Sequence, residues 1–192
     1  MAKATGPKYY VSLRRKRERV TNYAKRLGLI KSMLPRMVVR KSNSGVFVQF
    51  VNYEAAGDKP LATVASKMLS QDGWYPRCNA PTAYLAGLKC AKEAKKNGVT
   101  KFVLDIGMQT PSKGAIVFAA LKGAIDAGLE TSYEKSMVPE KKLDGSEIAA
   151  YAKALKGKGA YEKMFSGYLK LKIDPEKLPE HFQTAKKKIM SG

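Results

Sequence analysis

The chain has 192 residues, of which 44% are hydrophobic, and this is enough for one main domain with a buried core. Lys and Arg number 36 against 16 acidic residues, which gives a net charge of +20 and an isoelectric point near 9.9. A charge of this size disfavours a compact state unless a polyanion offsets it, so nucleic acid is the expected partner. Two cysteines and one histidine are too few for a disulfide framework or a zinc site, so no metal or cofactor is expected.

A membrane is not an expected partner. No stretch of the sequence approaches the roughly 20 consecutive apolar residues of a membrane-spanning helix. Residues 1–7 are charged and lead into no apolar run, so they do not resemble a secretory signal. Binding to an anionic membrane surface would require a basic amphipathic helix with aromatic residues on its apolar side, whereas Trp74 lies in a loop-like stretch. Because a disulfide scaffold is not expected either, we expect a reducing compartment and a cytoplasmic location.

The positive charge is concentrated near the amino terminus. Between Lys3 and Lys41 there are thirteen basic residues and one acidic residue, Glu18, so about a fifth of the chain carries +12 of the total. A solvated helix face would interleave acids at helical spacing, and this segment does not. Arginines bind phosphate bidentately, and tyrosines offer flat faces to unpaired bases. Residues 1–35 are therefore predicted to form a basic nucleic-acid-binding arm with one helix.

The elements of this first segment are an extended stretch and then the helix. Residues 1–20 show no regular apolar period and are predicted to be extended, becoming ordered on binding. Thr21 or Asn22 can cap a helix that ends before Pro35. Its apolar side is expected to dock on the main domain while its basic side meets nucleic acid. That apolar side is formed by Tyr23, Ala24, Leu27 and Ile30.

The core, residues 36–157, is predicted to be an α/β domain. Its β-rich runs, 37–40, 46–51 and 61–65, are separated by turns at 42–45 and at Gly57-Asp58, which predicts an antiparallel meander. Helices at 81–98 and 114–127 then enclose a short buried strand at 102–106. A meander followed by α-β-α units implies a mixed sheet with helices on both faces, and we expect a ribonuclease-H-like topology.

The remaining residues, 158–192, are predicted to be a helical C-terminal extension. A hinge at 157–159 precedes three aromatic residues and a last helix at 179–190. The segment is too small to form a domain of its own.

No catalytic group of residues is found in the sequence, so no enzyme is expected. Asp105 ends a buried strand, where a ribonuclease-H-like nuclease would place a metal-binding carboxylate. Residues 106–114 supply no second carboxylate, so Asp105 is predicted to be a hydrogen-bonding structural residue. The same stretch lacks the Gly-x-x-x-x-Gly-Lys-Ser/Thr pattern of nucleotide hydrolases. A general DNA-binding or chromatin protein would have the same charge and is the alternative.

Blocks of this sequence, in order, resemble the archaeal and eukaryotic 5S-rRNA-binding proteins of the large ribosomal subunit, whose bacterial counterpart is the eighteenth protein of that subunit's series. The opening blocks are Ala4-Thr5-Gly6-Pro7-Lys8-Tyr9, Arg14-Arg15-Lys16-Arg17-Glu18 and Thr21-Asn22-Tyr23-x-Lys25-Arg26-Leu27. The match continues through 31–32, 35–42, 81–85, 104–107, 114, 117–124 and 126–128. Each block alone is weak, but their ordered set is specific.

The resemblance implies a structural constituent of the large ribosomal subunit without catalytic activity. It implies that the arm binds 5S rRNA and anchors it to large-subunit rRNA in the central protuberance, beside neighbouring large-subunit ribosomal proteins. The tail beyond Gly157 matches the family less well and, being too small for a domain, is expected to be a second ribosome-contacting extension. By position, the family's RNA contacts carry over onto Tyr9, Arg14, Arg15, Lys16, Arg17, Arg19, Thr21, Tyr23, Arg26, Arg40, Lys41 and Ser42. Lys8, Tyr10 and Asn43 complete the predicted rRNA-binding set.

The chain departs from the family pattern at one place in the arm. Where the family usually has Gly-Lys-Thr-Asp-Tyr, this chain has Arg19-Val20-Thr21-Asn22-Tyr23. Arg19 replaces a glycine and Val20 a lysine. The backbone path there therefore depends on how the structure accommodates Arg19.

Overall fold

The computed structural model describes residues 6–138, 140–157, 159–171 and 173–191, so the first five residues of the predicted arm lie outside the described range. Its strands are β1 (Arg36–Lys41), β2 (Val46–Glu54), β3 (Gly57–Ala65) and β4 (Val103–Asp105). Its helices are α1 (Arg14–Arg17), α2 (Tyr23–Ile30), α3 (Ala80–Lys96), α4 (Ile116–Asp126), α5 (Ser146–Leu155), α6 (Ala160–Leu169) and α7 (Leu178–Ser191). The prediction of a wholly extended arm is wrong, because α1 forms one helical turn within it.

The four strands form one mixed sheet in the order β3-β2-β1-β4. The pairs β1–β2 and β2–β3 are antiparallel, and β4 runs parallel to β1. The predicted meander within a mixed sheet is confirmed, whereas the ribonuclease-H-like topology stays a prediction. The predicted turn at Gly57-Asp58 is wrong: Gly57 already pairs with Glu54, so the turn consists of Ala55 and Ala56.

The two faces of the sheet differ in how they are covered. On β2, alternate residues Val46, Val48 and Phe50 are buried and join the side chains of α3, α4 and α7 in one core. On the opposite face, α2 lies over the sheet across an open groove. Helices are therefore present on both faces, as predicted, but the second layer is one short helix with no buried residue.

Helices α3 and α4 approach each other closely because each has a glycine at the crossing. A Cβ placed on Gly87 would overlap the backbone carbonyl oxygen of Ala120, and one placed on Gly123 would overlap that of Tyr84. The small residues let the two backbones touch, so the contact leaves no room for a larger side chain.

The last helix packs against the core. Leu178, Phe182, Ala185 and Ile189 of α7 are buried, and the Phe182 ring lies 6.1 Å from the Trp74 ring and 5.5 Å from the Tyr84 ring. Lys92 of α3 donates hydrogen bonds from Nζ to the carbonyl oxygens of Ile189 (2.8 Å) and Met190 (2.9 Å), which satisfies the end of α7. The division into residues 1–35, 36–157 and 158–192 stays a prediction.

Cys90 lies in the core. Its side chain is fully buried on α3, and its Sγ donates to the carbonyl oxygen of Val48 at 3.5 Å. Burial above all, with the nearby Glu93 carboxylate second, raises the pKa of Cys90 to about 12. The thiol is therefore neutral and packs as a small apolar group.

We predict that Gly87→Ala lowers the free energy of unfolding by about 3 kcal/mol, because the added methyl group forces α3 and α4 apart. The control is Gly28→Ala in α2, where a Cβ meets nothing within 4 Å. This change should leave the free energy unchanged or raise it by up to about 1 kcal/mol, because alanine favours helix. Urea unfolding of both variants measures the difference. Equal stability of the two variants would contradict the tight crossing.

We also predict a stability difference at high pH between the wild type and Cys90→Ala. The folded-state pKa of Cys90, about 12, lies above the ordinary value of 9.0. The protonated thiol therefore contributes its full stabilisation of the folded state below pH 9, and this stabilisation is lost as the pH rises towards 12. Above pH 9 the wild type should lose up to about 1.4 kcal/mol per pH unit relative to Cys90→Ala. Urea unfolding of both proteins from pH 7 to 10.5 tests this. A difference that stays constant throughout would refute it.

Candidate nucleic-acid interface

The arm is open to solvent along its described length. Tyr10 is 76% exposed and Tyr9 47% exposed, and Lys8, Lys16 and Arg17 are exposed as well. Arg14 lies 3.3 Å from Glu18, the only acidic side chain of the arm. Because both partners are exposed, this ion pair contributes little to stability. The arm therefore presents its cations and aromatic rings outward.

A helix-ending motif at Arg19 sets the direction of the arm. Arg19 has φ of 52°, in the left-handed region that favours glycine. Its amide donates to the carbonyl oxygen of Lys16 (3.1 Å), and the amide of Val20 donates to that of Arg15 (2.9 Å), which is the Schellman pattern after α1. The family's glycine falls at this position, so the chain keeps a glycine-like path and carries a guanidinium there, at a cost of about 1–2 kcal/mol.

Beyond this turn, Thr21 and Asn22 have separate roles. The Thr21 hydroxyl accepts a hydrogen bond from Arg15 Nε at 2.9 Å, which holds that guanidinium beside α2. Asn22 is the residue that caps α2: its Oδ1 accepts from the amide of Lys25 at 3.0 Å.

The prediction that the apolar side of α2 docks on the domain is wrong. Leu27 is 55% exposed, and Tyr23 and Ala24 are exposed too. The contact to the sheet is polar instead: Arg26 Nη2 lies 3.0 Å from both carboxylate oxygens of Asp58 at the start of β3. The exposed apolar stripe adds to the surface that α2 offers to a ligand.

A network of ion pairs lies beneath α2. The Arg36 guanidinium is 3% exposed, with Nη2 2.6 Å from Asp58 Oδ2 and Nη1 3.0 Å from Asp105 Oδ2. Asp105 also accepts from Arg40 Nη2 (3.1 Å) and from the amide of Gly107 (2.8 Å). The predicted structural role of Asp105 is thus confirmed. Arg36, although part of the basic segment in the sequence, is enclosed by carboxylates and not available to a ligand.

Arg40 differs from Arg36 in remaining 44% exposed. Its Nη1 donates to the carbonyl oxygens of Asp105 (2.8 Å) and Val39 (2.9 Å), so the guanidinium is fixed in direction before any ligand arrives. A Cβ on Gly107 would lie 2.9 Å from Arg40 Cζ, so glycine at 107 leaves the space that this guanidinium fills.

The turn between β1 and β2 extends this basic surface beyond the sheet. Lys41, Ser42 and Asn43 are exposed. The Ser42 amide donates to the carbonyl oxygen of Gly45 (2.8 Å), and the Gly45 amide donates to Ser42 Oγ (3.2 Å). The turn is therefore held by its own hydrogen bonds, and the exposed Asn43 lies at its tip.

Together these parts enclose a groove of about 1100 Å³ between the arm with α2 and the open face of the sheet. It collects six of the predicted rRNA-binding residues: Arg15, Arg19, Thr21, Arg26, Arg40 and Lys41. The other nine lie outside its lining, on the arm, on α2 and at the turn: Lys8, Tyr9, Tyr10, Arg14, Lys16, Arg17, Tyr23, Ser42 and Asn43.

The sequence reasoning missed the floor of this groove. Phe47 and Gln49 of β2 point into it, and Met108 and Gln109 line it from the loop after β4. Phe47 is 38% exposed, unusual for a phenylalanine in a central strand. The alternation along β2 carries the signal, because Val46, Val48 and Phe50 occupy the core face and leave Phe47 and Gln49 on the other.

Two further observations concern other kinds of site. Among the described residues, no three His, Cys, Asp or Glu side chains are grouped so that they could hold a metal ion. Within the same ranges, no helix has the length and apolar character needed to cross a bilayer.

Comparison with known proteins identifies the family. A family model described as ribosomal large subunit proteins 60S L5 and 50S L18 matches residues 7–100 and 91–134. Large ribosomal subunit protein uL18 of Korarchaeum cryptofilum (strain OPF8) is 42% identical over 188 residues, which cover 97% of this chain and 96% of that protein. The resemblance drawn from the sequence blocks is confirmed: this chain belongs to the family of large-subunit ribosomal proteins that includes 60S L5 and 50S L18.

Proposed function

We propose that this structural protein of the large ribosomal subunit binds 5S rRNA and anchors it to large-subunit rRNA in the central protuberance of cytoplasmic ribosomes. Neighbouring large-subunit ribosomal proteins of the protuberance are its further partners. The observation that carries the proposal is the groove, which has a basic wall from the arm and α2 and a partly aromatic floor from the sheet. A groove of this composition suits an RNA backbone with unpaired bases better than it suits a small molecule.

The cations would position the RNA. Arg15, Arg26 and Arg40 already have fixed directions through Thr21, Asp58 and Asp105, so little side-chain entropy is lost when a phosphate binds. Apart from Lys41 at the end of β1, the remaining cations of the predicted set lie on the open arm and would follow the RNA backbone. Such phosphate contacts fix register without reading sequence.

The aromatic and amide groups would supply the selectivity. Tyr9, Tyr10 and Tyr23 present exposed rings, and Phe47 presents one in the groove floor, where unpaired bases can stack. Gln49 and Gln109 line the same groove, and their amide groups are suited to base edges. Single-stranded and looped RNA exposes such base faces, whereas duplex DNA keeps them stacked.

We predict that the full chain binds 5S rRNA and that an excess of duplex DNA does not displace it. Deletion of residues 1–20 should weaken binding about 100-fold or more, because several charge-assisted contacts are lost. The slope of log affinity against log salt should flatten by roughly 0.7–0.9 for each lost phosphate contact. Filter binding across a salt series measures both. Equal affinity for duplex DNA, or no effect of the deletion, would favour a general DNA-binding or chromatin protein.

We predict that Phe47→Ala weakens binding to 5S rRNA about tenfold or more, because base–aromatic stacking contributes about 1–3 kcal/mol. Tyr53→Ala is the matched control: Tyr53 is 49% exposed on the same strand but does not line the groove. The control should stay within about twofold of the wild type. Equal losses from both variants in the same binding assay would show that the groove floor does not contact the RNA.

A further inference from the structure

Arg77 is far from the other arginines in the sequence. All the others lie between residues 14 and 40, and every basic residue after Arg40 other than Arg77 and the single histidine is a lysine. Arginine has a planar fork that stacks on rings and binds phosphate bidentately, which lysine cannot do. Arg77 lies in the loop before α3, outside the groove and outside the rRNA-binding set predicted from the sequence.

The guanidinium of Arg77 lies over the aromatic ring of Tyr75. Arg77 Cζ lies 5.1 Å from the centre of the Tyr75 ring, a cation–π contact. The Tyr75 ring meets the buried Tyr168 ring edge to face at 5.3 Å, and Tyr168 Oη accepts a hydrogen bond from Asn79 Nδ2 at 3.2 Å. The ring under Arg77 is thus fixed by the packing of α6 on the loop.

Gly167 of α6 and the backbone of the loop also fix the position of the Arg77 side chain. Gly167 of α6 has no side chain, and a Cβ there would overlap Nη2 of Arg77. The Arg77 amide donates to Thr82 Oγ1 at 3.3 Å, and the Asn79 amide donates to the Arg77 carbonyl oxygen at 2.9 Å. The side chain is therefore positioned at both its backbone and its tip.

The charge of Arg77 is nevertheless uncompensated within the part of the chain that the structure describes. Arg26, Arg36 and Arg40 all pair with Asp58 or Asp105. The exposed Arg77 has no such carboxylate within ion-pairing distance among the described residues, and its guanidinium donates to no acceptor among them. Fixed in place but without an anion, the fork retains its donors for a ligand.

Arg77 also lies near the basic surface already described. The Val46 amide donates to Ser66 Oγ at 3.2 Å, which joins the β1–β2 turn to the segment leading into the Arg77 loop. Burial raises the pKa of Cys78, next to Arg77, and the positive charge of Lys41 on β1 opposes that rise, so Lys41 is within electrostatic reach of the loop. The segment that leads to the Arg77 loop therefore begins beside the β1–β2 turn, where β3 ends.

We propose that Arg77 is a further rRNA contact, a preorganised fork for a phosphate of the RNA backbone that lies beyond the groove. This inference rests on the proposed function, and it extends the RNA surface from the arm to the junction of the Arg77 loop with α6. The phosphate comes either from 5S rRNA or from large-subunit rRNA. Arg77 is exposed, and an arginine fork can form two parallel hydrogen bonds to phosphate oxygens.

The test measures binding of the full chain to two probes, 5S rRNA and deproteinised large-subunit rRNA, across a salt series. For the RNA that Arg77 contacts, Arg77→Gln should lower affinity about tenfold and flatten the salt slope by about 0.7–0.9. Gly167→Ala keeps the charge but displaces the guanidinium, so it should lower affinity with a smaller change in slope. The probe whose slope changes identifies the source of the phosphate.

Lys101→Gln is the control, because Lys101 is 64% exposed just before β4, at the end of the sheet opposite the β1–β2 turn. It removes the same charge and should leave both slopes unchanged. Thermal unfolding midpoints within about 3 °C of the wild type would show that the variants are folded. The inference about Arg77 would be overturned, with the proposed function left intact, by either of two results. One is an unchanged salt slope for Arg77→Gln with both RNAs, and the other is an equal loss of affinity in Lys101→Gln. A wild type that does not prefer 5S rRNA over duplex DNA would overturn the proposed function as well.

Discussion

The Arg36 guanidinium, 3% exposed, lies between the carboxylates of Asp58 and Asp105 and thereby links β1 to β3 and β4. Each carboxylate also holds a second arginine, Arg26 of α2 and Arg40 of β1. Removing one partner from such a buried group costs about 3–5 kcal/mol, since it leaves a charge without compensation. The position of α2 over the sheet, and with it the width of the groove, follows from this arrangement of charges more than from apolar packing.

Arginines of the basic amino-terminal segment therefore have two different roles. Arg36 is neutralised within the protein and supports the fold, while Arg15 and Arg40 are oriented by neutral or shared acceptors and stay open to solvent. Arg40 still shares Asp105, whereas Arg15 has a fixed direction and no carboxylate partner, so a phosphate that binds there replaces only water. The Arg77 loop meets the same condition by a different route, with a ring and a glycine in place of an acceptor.

Much of the fold could be predicted because its signals are local. Alternation along β2, the helical period in α3 and α4 and the break near Gly128 all depend on neighbours in sequence. The docking of α2 could not be predicted in this way, because it depends on Asp58, thirty-two residues beyond Arg26. For the site, composition indicated the basic arm, but only the sheet topology brings Phe47 beneath it. The burial of Arg36 could not be predicted either, because it depends on ion pairs with Asp58 and Asp105, which are distant in the sequence.

The packing of α7 has a consequence for how the molecule is made. Phe182 packs against the rings of Trp74 and Tyr84, and Lys92 binds the last turn of α7, so the core is complete only when α7 is present. Because a chain is synthesised from its amino end at about 5–20 residues per second, the cationic arm leaves the ribosome on the order of ten seconds before its own domain can close. During that interval the nascent chain combines a free polycation with uncovered aromatic rings. A chain terminated before Leu178 would retain both features permanently.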